Sequence, residues 1–596
     1  MLERDKYMKS LLLPYIERSE RYSKISLFIL IVTGMLFLCS TVTLNYALMW
    51  FTLLSLYTLT ALLSLNSKSR SEATLFAILY FFIAVRLGYF LRMLFQDGYT
   101  VLPADSSFSR YLTVKIIDDG RIMAGRYVGF AKKYCFYPLS FIFSAILLMT
   151  TSIPSDVFSG LIYNVIVDIC TILVLYLAIT IFVARLNLRG NLAAFALVVF
   201  LSNVRFLHLF RQFRYENIAF VHLATLSYLI ISLLVNSRTN SISKFISIPL
   251  IVSLLAFSIV LSHNVTWFFE LLLLSIILMW YLIFKIYRSN TNTSRAFKIA
   301  VLSILLSIVV TSFSLAYTMA QSSINLIEII ITEVLLYLED LEEGPVGLER
   351  FNPFDYTELE IGMILIGNIL MAVLLTISFL LLFRDAIINN DPYHLLLVML
   401  TGTFGSLSFV IIVFSPFKVT IFERAYLYLL WFGCLLPMYV VSRIKRKQLL
   451  KPLIIVILML FFVSQTLIRH HDRELADNRG FCYGIIYEAG KFLARNGIFR
   501  HGTIAGFPQH AYTIVSTAIG IESGPLVPKV FYYMFLNKTL EMIFESDVFL
   551  FYNMPLEKLR MYVPSQYMEA FIETATNLPK LSNVIFSNGY VIAYKP

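Results

Sequence analysis

The sequence has 596 residues, of which 58% are hydrophobic and only 14% charged, whereas a water-soluble chain carries about 25% charged residues. With a mean hydropathy of +0.77, it needs lipid as its solvent. The formal charge of +11 does not mark a nucleic-acid surface, because most Lys and Arg lie in short connections between apolar runs, which is the positive-inside bias of membrane proteins.

Residues 1–24 carry Arg4, Lys6, Lys9, Arg18, Arg21 and Lys24. They lack a short apolar core ending in small residues, so a cytoplasmic segment is expected here and no cleavable signal peptide. Runs with the length and apolarity of crossing helices follow at 25–44, 46–65, 73–95, 161–184, 191–207, 217–235, 245–262, 265–284, 299–320, 360–383, 394–414, 425–442 and 452–468. No alternating barrel pattern is present, so the runs read as helices. The basic clusters Lys68/Arg70, Arg185/Arg189, Arg238/Lys244, Lys285/Arg288/Arg295/Lys298, Arg384 and Arg443/Lys445/Arg446/Lys447/Lys451 all face the cytoplasm together on one condition: the apolar segment 137–152 must not cross. It is short for a crossing, and reads as an interfacial or re-entrant helix.

On that reading 25–468 is a transmembrane domain with long external loops at 96–160 and 321–359. The second loop carries Glu328, Glu333, Glu339, Asp340, Glu342, Glu343, Glu349 and Asp355. Residues 469–596 turn mixed and polar. Helical patterns at 485–496, 509–519, 537–545 and 566–576 alternate with strand-like runs at 547–552, 583–587 and 590–594, and Asn588-Gly589 suits a hairpin turn. The expected fold class is a polytopic α-helical membrane protein of about 13 transmembrane helices with a C-terminal α/β extracytoplasmic domain, lying in the cell membrane with a cytoplasmic N-terminus. No internal repeat or low-complexity segment is visible. Cys39, Cys135, Cys170, Cys434 and Cys482 show no metal spacing. Only Cys135 and Cys482 fall on the non-cytoplasmic side outside the membrane, either bonded to each other or as unpaired thiols.

Ionisable residues inside spans are costly and default to functional hypotheses. Asp168 and Glu270 lie roughly seven residues from the outer helix ends, about 10 Å down. Arg86 is nearer the midplane, Glu216 and His263 mark outer helix ends, and His222 sits below Glu216. Few comparable residues are expected in the inner half, so binding or chemistry is expected at the external face. Asp168, Arg86 and Glu270 also read as buried structural ions, and His222 as a hydrogen-bonded core histidine. Ser262 to Thr266 reads as a turn between helices. Of the two glycosylation-type triplets, Asn537-Lys538-Thr539 is a better acceptor than Asn264-Val265-Thr266, which sits at the membrane surface.

The chain resembles the C-type glycosyltransferases, which use lipid-phosphate-linked sugars. The resemblance rests on Pro103-Ala104-Asp105 in the first external loop, Tyr137-Pro138 before a short apolar helix, and Arg214-Tyr215-Glu216 at the next long connection. The Ser262 to Thr266 turn and the ending from Asn588 to Tyr594 are similar to segments of archaeal members. Three spans precede the loop where many members have one. No acceptor motif of the oligosaccharyltransferase kind is present, so en bloc transfer to asparagine is not expected.

The resemblance implies transfer of a sugar from a polyprenyl-phosphate carrier to an external acceptor, be it glycan, lipid or protein, with inversion. Asp105 is the candidate base, with Asp97 and Asp118 as substitutes, and Glu216 shares base work or holds a divalent ion such as Mg2+ or Mn2+ with it. Arg424 and Lys418 would meet the leaving phosphate, because a guanidinium fork suits phosphate oxygens. Tyr137, Arg214 and His263 complete the binding set. Structural readings compete: Asp105 as a loop cap, and Arg424 as a partner of Glu423. So do other functions, a lipid or glycan transporter or flippase, or a non-catalytic envelope protein of the same fold. Transporters commonly show paired repeats and midplane charge, and neither pattern is evident.

Overall fold

The computed structural model describes residues 24–43, 45–65, 71–97, 104–120, 138–154, 157–186, 188, 191–203, 216–235, 242–263, 266–287, 295–322, 358–389, 391–414, 427, 429–443, 447–478, 492, 504–505, 548–552, 583–587 and 591–595. The helices are α1 (Lys24–Val42), α2 (Tyr46–Leu65), α3 (Ser71–Asp97), α4 (Ala104–Asp119), α5 (Leu139–Thr151), α6 (Tyr163–Arg185), α7 (Asn191–Leu201), α8 (Glu216–Val235), α9 (Ile242–Ser262), α10 (Thr266–Tyr287), α11 (Arg295–Ser322), α12 (Glu358–Asn389) and α13 (Pro392–Phe414). They are followed by α14 (Leu429–Arg443) and α15 (Lys447–Asn478). Each run expected to cross overlaps one of these helices, with residues 44, 204–207, 265, 425–426 and 428 of those runs outside the described ones. Among the described residues, six helices are long and apolar enough to cross a membrane by length and composition: α1 to α3, α6, α8 and α12.

Lipid-facing and protein-facing positions separate cleanly. Phe28, Phe51, Phe313 and Phe409 are largely exposed, while Tyr57, Phe81, Trp280 and Tyr439 are fully buried. The innermost element is α7. From Leu192 to Leu201 every side chain is buried, as expected of a helix that is apolar all round. It packs against α2, α3, α6 and α14. Between helices in lipid no hydrophobic drive operates, so close approach through small residues matters more. Gly367 of α12 shows this: a Cβ there would stand 2.6 Å from the Leu460 carbonyl oxygen and 2.8 Å from Ser464 of α15. One turn of side-chain hydrogen bonding supports the same seam, with the Gln465 amide donating to Asn368 Oδ1 at 3.1 Å.

The segment at 137–152 forms α5, thirteen residues long, about 20 Å at 1.5 Å per residue. It starts after Pro138 and stops at Ser152, whose φ of 53 is left-handed and whose N–H returns to the Leu148 carbonyl. Ser140, Phe141, Ser144 and Ala145 face inward, and Phe143, Ile146 and Met149 face out. Beyond Pro154 a π-helical turn, Phe158–Ile162, leads directly into α6.

Four strands follow the helices: β1 (Ile504–Ala505), β2 (Val548–Tyr552), β3 (Asn583–Ser587) and β4 (Val591–Lys595). They form one sheet in the order β1-β2-β4-β3. The β3–β4 pair is antiparallel with an irregularity between Val584 and Phe586, while Asn588 and Gly589, where the hairpin turn is expected, lie outside the described residues. The helical patterns expected at 509–519, 537–545 and 566–576, nearly all of 485–496, most of the loop 321–359, residues 98–103, 121–137 and 155–156 of the loop 96–160, and Cys135 and Cys482 lie outside the described residues.

Candidate active site

The alternating helices bring the starts of α8 and α10 and the finish of α9 to one end of the bundle. Glu216 is the first residue of α8, and Asp105 is the second residue of α4. His263 follows the last residue of α9. The Thr266 backbone N–H donates to its Nδ1 at 3.2 Å, and Nδ1 and Thr266 Oγ1 are 2.6 Å apart. His263 thus caps α10 in the manner of a side chain satisfying an orphan first-turn amide. With Nδ1 accepting, the ring proton resides on Nε2.

α5 packs on α4, α8 and α9. It therefore touches the helix that begins beside Asp105, the helix that begins at Glu216 and the helix that ends before His263. Beneath this junction lies a cavity of about 230 Å³, lined by Leu139 and Phe143 of α5, Val167 and Cys170 of α6, Ile218 and His222 of α8, and Ser258 of α9. His222 is half-buried. Its Nδ1 is buried without a hydrogen-bond partner among the described residues, which differs from the hydrogen-bonded core histidine read as one alternative.

Deeper in the bundle the ionisable residues divide. Arg86 Nε of α3 and Asp168 Oδ2 of α6 form a buried ion pair. Arg92, one helix face nearer the same end, directs its guanidinium to Met49 Sδ at 3.7 Å. Glu270 is fully buried and accepts a hydrogen bond from Thr311 Oγ1 of α11 at 2.9 Å. The structural pairing read for Asp168 and Arg86 is present, whereas Glu270 is held by a hydroxyl. Among the described residues no three His, Cys, Asp or Glu side chains are grouped to hold a metal ion.

The opposite end of the bundle is richer in charge than the sequence reading expects. Asp385 of α12 is bonded to the Tyr439 hydroxyl, and Arg443 reaches the same carboxylate at 3.1 Å. His394 packs edge-on against the Tyr439 ring and pairs with Asp391. Arg185 lies over the Tyr393 ring at 5.2 Å, and Trp280 Nε1 donates to the Pro392 carbonyl at 2.7 Å. The signal for this cluster was the register of α12: Asp385 lies three residues after buried Leu382 and seven after buried Ser378, on the inward face of a helix that runs past the expected end at 383.

Tyr137, Arg214, Lys418 and Arg424 lie outside the described residues. Of the candidates, Asp105 and Glu216 belong to helices, α4 and α8, that pack on α5, as does α9, which ends just before His263.

The fold is that of a polytopic helical membrane protein. No protein-family model matches the chain, and no curated protein does. Solved structures do. ArnT from Cupriavidus metallidurans, bound to undecaprenyl phosphate, is similar over 86% of this chain and 97% of its own, at 9% identity and a TM-score of 0.45. The archaeal oligosaccharyltransferase AglB from Archaeoglobus fulgidus, in complex with an inhibitory peptide and a dolichol-phosphate, is similar over 87% of this chain and 74% of its own, at 10% identity and a TM-score of 0.48. At these identities and TM-scores the similarity assigns no residue a role.

Proposed function

We propose that this chain is an integral membrane glycosyltransferase that moves one sugar from a polyprenyl-phosphate carrier to an acceptor hydroxyl on the non-cytoplasmic side, with inversion. The observation that supports it most directly is the packing of α5 against α4, α8 and α9, the helices that bear or border Asp105, Glu216 and His263. In the reaction the acceptor oxygen bonds to the anomeric carbon as the bond from that carbon to the phosphate oxygen breaks. The acceptor proton passes to Asp105, since a base must sit within hydrogen-bond reach of it. The bonding pair leaves with the lipid phosphate, whose charge Arg424 and Lys418 offset, with Arg214, Tyr137 and His263 holding donor or acceptor. Glu216 assists Asp105 as base or shares a divalent ion with it, hard cations preferring carboxylate oxygens. Residues 469–596 fold as an α/β unit that covers the site or binds acceptor.

The test is transfer by the purified protein from a panel of polyprenyl-phosphate sugars, with and without chelator and added Mg2+ or Mn2+. Sugar transfer with inverted anomeric configuration supports the reading. Carrier movement between leaflets without bond cleavage replaces it with the transporter reading.

A further inference from the structure

Asp168 and Glu270 are both buried, and the bundle serves them differently. Asp168 has the guanidinium of Arg86 beside it. Glu270, fully buried, accepts the Thr311 hydroxyl on Oε1 at 2.9 Å, and among the described residues its Oε2 has no partner. The basic residues of the helices packed against α10 do not serve it. Lys244 of α9, Arg295 and Lys298 of α11 and His394 of α13 belong to the opposite end of the bundle, and His222 of α8 lines the cavity beside α5. The hydroxyl that does serve it departs from its neighbours' habit. Ser303 of α11 and Thr401 of α13 each return theirs to the carbonyl four residues back in their own helix at 2.7 Å, whereas Thr311 gives its hydrogen across the seam to α10.

An ionised carboxylate there would be a buried charge compensated by one hydroxyl, and such a group neutralises instead of staying charged. With Thr311 donating to Oε1, that oxygen acts as the carbonyl and the acid proton resides on Oε2. Packing alone does not call for a carboxyl at this point, because Phe269 beside it already stacks on Phe404 of α13 and an apolar side chain would be buried at no such cost. What the carboxyl adds is a directed bond to α11. Thr266 and Glu270, four residues apart, share one face of α10, about 6 Å apart along its axis. Thr266 in turn holds the His263 ring, through its backbone N–H at 3.2 Å and its hydroxyl at 2.6 Å. The bond to Thr311 therefore fixes the turn from which His263 is aimed.

We propose that Glu270 is a positioning residue that acts as a neutral carboxylic acid, tying the first turns of α10 to Thr311 of α11 and so setting the imidazole of His263. The inference rests on the part proposed for His263 in sugar transfer, and adds what holds that imidazole in place.

The full-length protein in lipid nanodiscs is compared with its variants by infrared spectroscopy, hydrogen exchange and the transfer assay. The wild-type minus Glu270→Gln spectrum at neutral pH should show the C=O stretch of a protonated carboxyl; a carboxylate band in its place overturns the neutral acid. Glu270→Gln keeps an acceptor for Thr311 and adds no charge, so segment 262–270 should exchange as slowly as in wild type and turnover should stay near the wild-type rate. Glu270→Ala should speed exchange in that segment and cut turnover by up to about 10²-fold, the cost of displacing a positioned group by about 1 Å, with KM changed far less. Thr311→Val keeps the volume, removes the donor and should act in the same direction without emptying the site at 270. In a His263→Ala background Glu270→Ala should cost nothing further in turnover, since the two act in one chain of contacts. A full additional loss there overturns the positioning role, as does a Glu270→Gln protein that melts like wild type yet is as slow as Glu270→Ala. If wild type transfers no sugar, the positioning role falls with the reaction, while the infrared band and the exchange of 262–270 still decide whether Glu270 is the neutral tie between α10 and α11.

Discussion

Arg86 and Asp168 leave water together. A buried pair that loses one member strands the other charge, at a cost of about 3–5 kcal/mol, while an apolar pair of similar volume is close to neutral. Asp168→Asn is therefore expected to lower the thermal unfolding midpoint of the detergent-purified protein sharply, and Arg86→Met with Asp168→Leu to recover most of it. If the double variant is as unstable as the single one, the pair has a role beyond mutual neutralisation. Asp105 is a different case, expected to act in the reaction and not in the fold. Asp105→Asn should cut turnover by about 10²–10⁴-fold with donor affinity little changed, and Arg424→Ala should weaken donor binding. Transfer at the wild-type rate by Asp105→Asn would move the base to Asp97 or Asp118. The buried pair was legible because ionisable residues in apolar runs announce themselves. The hydroxyl partner of Glu270 was not, since Thr311 is one of many threonines in the spans. Asp385 was hidden because Arg384-Asp385 reads as the start of a polar loop when the span is ended at 383.

Elements carry the next level of constraint. Gly367 and Gly362 share α12, yet a Cβ at 362 meets nothing within 4 Å while one at 367 collides with α15 backbone. Gly367→Val must push two helices apart, and overpacking of this kind costs about 1–3 kcal/mol. Gly362→Ala should be neutral or stabilising by up to about 1 kcal/mol, as an added helix former. Equal melting behaviour of the two variants would refute the α12–α15 contact. At the start of α13, Asp391 precedes Pro392, the favoured first helical residue. Partial burial raises its carboxyl, but the His394 hydrogen bond and charge and the Tyr393 and His394 backbone N–H groups outweigh that and hold it below the ordinary aspartate range. A carboxyl lowered on folding contributes stability above its unfolded pKa, and that contribution is lost as pH falls through the folded one. Wild type should thus lose stability between about pH 4, the ordinary aspartate value, and lower pH, and Asp391→Asn should flatten that part of the profile. Helix positions were legible from hydropathy, as were the residues of β2 to β4. The order β1-β2-β4-β3 was not, because parallel pairing of β1 with β2 is set by the arrangement of distant segments and leaves no local pattern.

At the scale of the whole molecule, one choice governs every functional placement: whether 137–152 crosses. If it did, each later connection would change sides, and the cluster from Arg443 to Lys451 would face outward against the positive-inside bias. With thirteen residues, α5 reaches about 20 Å, short of a hydrocarbon core about 30 Å thick. One of its faces is taken up by α4, α8 and α9. The ends bearing Arg185, Arg384, Arg443 and Lys451 then share one side of the bundle. There Lys451 also donates to the Leu65 carbonyl at 3.2 Å, tying the last long helix to the end of α2. On the proposed topology Asp105, Glu216 and residues 469–596 are expected on the other side. Single cysteines in a background without native ones test this. Introduced at Ser289, between α10 and α11, the thiol should resist an impermeant maleimide added to intact cells and react after permeabilisation. At Ser565 it should react at once. A protected thiol at 565 together with a reactive one at 289 would invert the protein, place Asp105 and Glu216 in the cytoplasm, and remove the basis for transfer to an external acceptor.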